Sequence, residues 1–310
     1  MLLLIKFMDT RGKLIIIGGA VDKGSFTEKQ FNVPNNINFF EHGILKRIIT
    51  ESRYGAASRI EVIPTASSMP IEVGDEYIKA FSSLDAPNVG VINIQSRSEA
   101  NSEDVVKRLQ KADTVMFTGG DQLRLTTILA ATEFHKLLMA KYLHEDFLMA
   151  GTSAGAMACS ANMIYQGSSK EALTKGEVKI TGGLGLIDDV IIDTHFVQRG
   201  RIGRLFQAVV SNPGLLGIGL GEDTGLLITK GNCMEALGSG LVILVDGRRI
   251  SDTNITDVPL GAPISIENLV VHVMSIMDTY NISESRLDII KTKKAIYDRE
   301  VTEDKALPIK

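Results

Sequence analysis

Phe147-Leu-Met-Ala-Gly151-Thr152-Ser153-Ala154-Gly155-Ala156-Met157 is the stretch whose reading decides the fold. Its first residues form a short, continuous apolar run of the kind buried on both faces of a parallel sheet. G-x-S-x-G and further small residues follow, so the segment predicts a strand, a tight turn and a helix with a serine at the apex. A serine on such a turn has a strained backbone, and bulky neighbours would collide with adjacent strands, which accounts for Gly151, Ala154 and Gly155 around it. The turn lifts the hydroxyl above the sheet. It also aims the Ala154 N–H and the positive end of the helix at the place where an oxyanion would develop. A bare G-x-S-x-G also marks ordinary tight junctions, but the apolar strand before it and the small-residue helix after it favour a nucleophile.

Outward from this turn, apolar and β-branched runs recur at Leu14 to Ile17, Ile60 to Ile63, Val89 to Ile94, Thr114 to Phe117 and Val190 to Asp193. Between them Glu41 to Glu51, Ile71 to Ser83, Ser102 to Lys111, Gln122 to His144 and Arg201 to Ser211 carry helical periodicity. The alternation predicts an α/β fold, a three-layer α/β/α sandwich on a mostly parallel central sheet with right-handed crossovers. From Leu216 the pattern changes to short runs at Gly217 to Leu220, Gly225 to Ile228, Met234 to Leu237 and Leu241 to Val245, an expected antiparallel extension of the sheet. No repeat or linker divides the chain, so residues 1–310 read as a single domain, with 1–12 and about 298–310 as arms or tails.

With 310 residues and 44% hydrophobic content the chain has ample material for a core, and a net charge of -4 provides no field for nucleic acid. The apolar start MLLLIKFMDTRGK is too short to span a membrane and lacks the basic flank and cleavage site of a secretory signal. No membrane association and a cytoplasmic location are therefore expected. The two cysteines, Cys159 and Cys233, are too few for a disulfide framework and lack zinc-site spacing, so both read as buried thiols. No metal and no organic cofactor is expected.

Ser153 needs a base, and there are five histidines. His42, His135 and His144 fall on helices or their ends, and His272 lies in an apolar run without a nearby acid. His195 ends the strand Val190-Ile-Ile-Asp193-Thr-His195-Phe, and the carboxyl ends of parallel strands are where ligands collect. The carboxylate that would orient its ring is Asp193, Glu222 or Asp223; spacing does not choose among them. Thr118-Gly119-Gly120-Asp121-Gln122 is a second strand-to-helix turn. Its glycines allow close approach and an N–H for the oxyanion, and Gln122 would face substrate; an N-cap at Asp121 without chemistry is the plainer reading. Ile17-Gly18-Gly19-Ala20 also follows a strand, but G-x-G-x-x-G is missing and Lys23-Gly24-Ser25 reverses P-loop order, so both nucleotide readings are rejected. After His195 come Arg199, Arg201 and Arg204, cations at the start of a helix whose dipole they oppose, which points to an anionic ligand.

FTGGDQ at 117–122, GTSAGA at 151–156, IIDTHF at 191–196, QRGRIGR at 198–204 and GIGLGEDT at 217–224 together resemble the cyanophycinases, in order from about residue 13 to about 248. Cyanophycinases are serine exopeptidases that degrade cyanophycin, a polyaspartate with arginine on each β-carboxylate, to β-aspartyl-arginine dipeptides. The resemblance implies a class I glutamine amidotransferase-like fold, homodimers, and an acidic polypeptide substrate. It implies Ser153 as nucleophile, His195 as base and Glu222, rather than Asp193, as orienting acid; in the mechanism expected from these residues and the two turns, Gly119 or Gly120 and Ala154 hold the oxyanion. It implies substrate contacts by Gln122, Asp193, Arg199, Arg201 and Arg204. Thr194 stands where cyanophycinases commonly have glutamine, and Gly221 replaces a frequent acid. An aspartyl or isoaspartyl dipeptidase on the same serine site is the alternative activity, and a non-catalytic binder of acidic ligands the alternative class.

Overall fold

A computed structural model describes residues 10–24 and 39–293, so the expected arm, apart from residues 10–12, and the expected tail lie outside the described residues. The described residues form two large sheets and a two-stranded ribbon. The strands are β1 (Lys13–Ile17), β2 (Ile60–Ile63), β3 (Val89–Val91), β4 (Thr114–Phe117), β5 (Leu148–Thr152), β6 (Ser160–Gln166), β7 (Lys179–Gly182), β8 (Ile187–Asp193), β9 (Leu216–Leu220), β10 (Thr224–Thr229), β11 (Cys233–Gly238) and β12 (Val242–Asp246). Further on come a two-stranded ribbon, β13 (Asp252–Thr253) with β14 (Ile266–Glu267), and then β15 (Val270–Met274), β16 (Thr279–Asn281) and β17 (Arg286–Asp288).

The larger sheet has nine strands in the order β17-β16-β11-β10-β1-β5-β4-β2-β3. From β1 to β3 every pairing is parallel, and β10, β11, β16 and β17 extend it antiparallel. β1 explains why this sheet is covered on both sides: Leu14 and Ile16 enter one hydrophobic cluster, Ile15 and Ile17 another. Successive strand residues point to opposite faces, so a run without polar residues requires a core on each. One face is covered by α2 (Ile44–Glu51), preceded by the short α1 (Phe39–His42), and by α3 (Pro70–Ser83); α2 presents Ile44, Leu45, Ile48 and Ile49 as its buried stripe. The opposite face meets α4 (Arg97–Ala100), α5 (Glu103–Lys111), α6 (Gln122–Leu129), α7 (Glu133–His144) and α8 (Ala154–Met157).

Two expectations are corrected here. The strand at Val190 to Asp193 belongs to a second sheet of six strands, β15-β12-β9-β8-β6-β7, and Gly217 to Leu220 and Leu241 to Val245 join it too. In that sheet β8 runs parallel to β6 and to β9, and α9 (Ile202–Ser211) packs on it through Leu205 and Val209. The single helix expected from Gln122 to His144 is two helices. Ala131 adopts a left-handed φ of 60°, and the Thr132 side chain then caps α7 by accepting from the His135 N–H. Among the described residues, no helix is long and apolar enough to cross a membrane.

Candidate active site

The site forms where the carboxyl ends of β5 and β8 converge with the turn between β9 and β10. Ser153 sits between β5 and α8 at φ 51°, ψ −113°, a strained conformation for a residue with a side chain. The small residues of this turn have a visible cause: a methyl group on Gly155 would meet Phe117 O at 2.6 Å. α8 is only four residues long, so the dipole contribution expected from the sequence is minor and individual N–H groups must supply the electrostatics. Among the described residues neither the Ala154 N–H nor the Gly120 N–H has a protein acceptor. Gly120, at φ 139°, lines the same cavities as Ser153. The Asp121 carboxylate does cap α6, as the plainer reading of that turn expects.

Ser153 Oγ lies 3.0 Å from His195 Nε2, and His195 Nδ1 lies 2.7 Å from Glu222 Oε1. This chain lets a proton leave the hydroxyl for the ring while a carboxylate fixes the tautomer and pairs with the imidazolium that forms. The other two acids are committed elsewhere. Asp193, with 0% exposure, accepts from Thr194 N–H, from Arg201 Nη1 at 3.1 Å and from Arg204 Nε at 2.8 Å and Nη2. Asp223 accepts from the Asp22 N–H at 3.1 Å and the Ser239 hydroxyl at 2.7 Å, and burial pushes its carboxyl up to about 6. Gln198 was read only as part of the basic segment; its side-chain oxygen accepts from the Glu222 N–H at 3.1 Å and so anchors the acid.

Burial lowers the His195 pKa below the usual imidazole value; the Glu222 hydrogen bond opposes this, and Arg199 and Arg201 add to it. A base must be neutral to accept a proton, so activity is retained on acidification until the ring protonates at that lowered value. The acidic limb of the kcat/KM profile is expected below the ordinary histidine range of about 6.5. Arg199→Gln removes a neighbouring cation and should move that limb upward by a few tenths of a pH unit, as should added salt in the wild type, because Arg199 is exposed and screened. An acidic limb that stays in place in Arg199→Gln would contradict this electrostatic account.

Ser153, His195, Gly120 and Arg199 line two cavities, one of about 1000 Å³ and one of about 260 Å³. The smaller also takes in Gln122, Tyr165, Thr194, Arg201 and Arg204. Gln122 donates to Ile164 O at 3.1 Å, which leaves its carbonyl oxygen available. The Arg199 guanidinium has no hydrogen-bond or ion-pair partner among the described residues, and the residue is exposed at the junction of both cavities. Arg204 differs. It is 5% exposed and spends Nε and Nη2 on Asp193 and Nη1 on Gly167 O at 3.3 Å, so it braces the cavity wall instead of offering a free fork. Asp193 lies beneath the cavity as the counterion of two arginines, so the geometry offers no direct contact to substrate. Three guanidiniums against one carboxylate still leave the cavity positive. Thr194 is buried, and its hydroxyl donates to Met157 Sδ at 3.4 Å.

The remaining histidines and cysteines stay away from this site. His135 accepts from the Ala131 N–H and approaches Leu184 O at 2.8 Å, a structural role. Cys159 is buried as expected, whereas Cys233 is only half-buried, because it is the first residue of β11 and follows directly on the turn at 230–232. Among the described residues no cluster of three or more histidine, cysteine, aspartate or glutamate side chains could hold a metal.

The chain matches Peptidase family S51 over residues 39–235. It is 34% identical to a cyanophycinase of Geminocystis herdmanii (strain PCC 6308) over 271 residues, 87% of this chain and 94% of that protein. A cyanophycinase of Synechococcus elongatus is 36% identical over 228 residues, 74% of this chain and 71% of that protein. In fold, the chain resembles the crystal structure of a peptidase from an acI-B1 Actinobacterium, with a TM-score of 0.63 at 18% identity, covering 89% of this chain and 98% of that one. A family match and relatives of this extent leave one assignment: the chain belongs to Peptidase family S51 and is a serine-type peptidase.

Proposed function

We propose that this peptidase hydrolyses cyanophycin as an exopeptidase, releasing β-aspartyl-arginine. The supporting observation is the Ser153–His195–Glu222 chain opening directly onto a cavity with an excess of guanidinium charge. Ser153 Oγ attacks an α-aspartyl peptide carbonyl while its proton passes to His195 Nε2. The N–H groups of Ala154 and of Gly120, or Gly119, hold the oxyanion. The leaving amine takes the proton from the imidazolium, and the acyl ester remains on Ser153. Water, deprotonated by His195, then attacks the ester, and Ser153 recovers its proton as the acid is released.

Arg199 and Arg201 suit the carboxylates of the polymer, and the Gln122 oxygen suits an amide or guanidinium donor. Arg201 keeps Nε and Nη2 available after Nη1 binds Asp193 and Thr194 O. The relatives' names support the polymer as substrate. Comparing insoluble cyanophycin with Asp-X and β-Asp-X dipeptides tests the choice: kcat/KM should favour the polymer by at least about tenfold. The reverse order would make the chain an aspartyl or isoaspartyl dipeptidase working with the same serine.

A further inference from the structure

β1 runs into Ile17-Gly18-Gly19-Ala20, the glycine pair that stands out in the sequence without a ligand to explain it. Its three successive carbonyl oxygens each hold a different segment of the site. Ile17 O accepts from the Ser153 N–H at 2.8 Å, Gly18 O from the His195 N–H at 2.8 Å, and Gly19 O from the Asp223 N–H at 2.9 Å, one residue beyond Glu222. Gly18 N–H donates to Thr224 O at 2.8 Å and closes the same turn from the other side. Ser153, His195 and Asp223 all have left-handed backbones, with φ of 51°, 49° and 44°. Conformations of that kind persist only where surrounding bonds fix them. Each is fixed here by one carbonyl of a single three-residue segment.

The glycines are what allow this approach. A methyl at Gly18 would overlap the Gly221 carbonyl oxygen and meet Leu220 O at 2.6 Å. Gly19 has φ 106°, and the His195 ring lies directly over it: a methyl there would overlap Cε1 and Nε2 and reach 3.0 Å from Nδ1. Nε2 is the atom that faces Ser153 Oγ.

We propose that Ile17–Gly19 is the spine that aligns nucleophile, base and acid, and that Gly19 is a positioning residue that sets the height of the His195 ring. The proposal rests on the triad reading given under the proposed function. Gly19→Ala should lift the ring from Ser153 and lower kcat by roughly 100-fold, the size of effect that a misplacement of about 1 Å produces. KM should change less than kcat, within a few-fold of wild type: Gly19 lines the larger cavity but has no side chain to offer a substrate, and its carbonyl is committed to the Asp223 N–H. Labelling of Ser153 by a serine-reactive phosphonate should slow in parallel.

A thermal double-mutant cycle with His195→Ala separates this from general backbone strain. The loss of Tm caused by Gly19→Ala should be larger with the ring present than in the His195→Ala background, where the methyl has nothing to displace. If Gly19→Ala alone does not fold, recovery of folding in the double variant supports the proposal, and failure of the double variant overturns it. A folded Gly19→Ala enzyme with kcat within about threefold of wild type, or equal Tm losses in both backgrounds, overturns it as well. Loss of activity in Ser153→Ala beside normal activity in Gly19→Ala would discard the spine alone; activity retained in Ser153→Ala would discard the triad itself.

Discussion

Ser153→Ala is expected to lower kcat/KM by roughly 10⁴-fold or more, while the protein remains folded and its far-UV circular dichroism is unchanged. The size follows from the role. In the proposed mechanism, removing the hydroxyl abolishes the covalent route and leaves only water attack assisted by the proposed oxyanion donors at Ala154 and Gly120. The fold should tolerate the change because the Ser153 backbone, not its side chain, holds the turn: its N–H donates to Ile17 O and its carbonyl accepts from Met157 N–H. The hydroxyl contributes the bond to His195 Nε2 at 3.0 Å, whose loss costs on the order of 1 kcal/mol. A modest loss of activity, within about tenfold, would place the nucleophile elsewhere.

The largest effect on stability is expected at Asp193. Its carboxylate is fully buried and is the counterion for the 5%-exposed Arg204 as well as for Arg201. Asp193→Ala removes one partner of a buried pair and strands the Arg204 guanidinium in a site it cannot leave. Breaking such pairs costs roughly 3–5 kcal/mol, because the remaining charge stays desolvated. A Tm lower by roughly 5–10 °C should follow in a chain of this size. The wall of the small cavity should loosen with it, since Arg204 also reaches Gly167 O. KM should therefore rise more than kcat falls. Asp193→Asn, which keeps the shape and one acceptor, should lose less. A Tm within about 2 °C of wild type in Asp193→Ala would show that the guanidinium finds water or another acceptor, and that the buried pair is not what holds the arginines.

These two residues also show what was legible in the sequence. Ser153 was readable because its neighbours betray the turn: only small side chains fit at Gly151, Ala154 and Gly155 after a strand. Asp193 was harder. Two positions apart on a regular strand, Asp193 and His195 would share a face, which kept Asp193 open as the orienting acid. The left-handed φ of His195 breaks the alternation and turns the ring toward Ser153, while Asp193 stays directed at the arginines beneath. A positive φ at a histidine has no composition signal.

The division into two sheets was hidden for a related reason. The run at Val190 to Asp193 is as apolar as those of the first sheet, and periodicity reports burial on both faces without saying which neighbours supply it. The break after α6 falls at Ala130-Ala131, residues with the highest helix propensity, so nothing local announces it. Thr132 was the available cue, a capping residue followed by an acidic first turn at Glu133. The glycine pair at 18–19 was visible but uninterpretable, because its partners lie more than 100 residues away in the chain. Two of its neighbours in space, the serine turn and the histidine, were read as a pair by their chemistry alone.

The most direct test of the central claim is mass spectrometry of the products released from purified, insoluble cyanophycin by the wild type and by Ser153→Ala side by side. The account predicts β-aspartyl-arginine from the wild type, accumulating from the first time points without larger fragments, and none above background from Ser153→Ala. Equal release by both would contradict the serine mechanism, and no release by the wild type would contradict cyanophycin as the substrate.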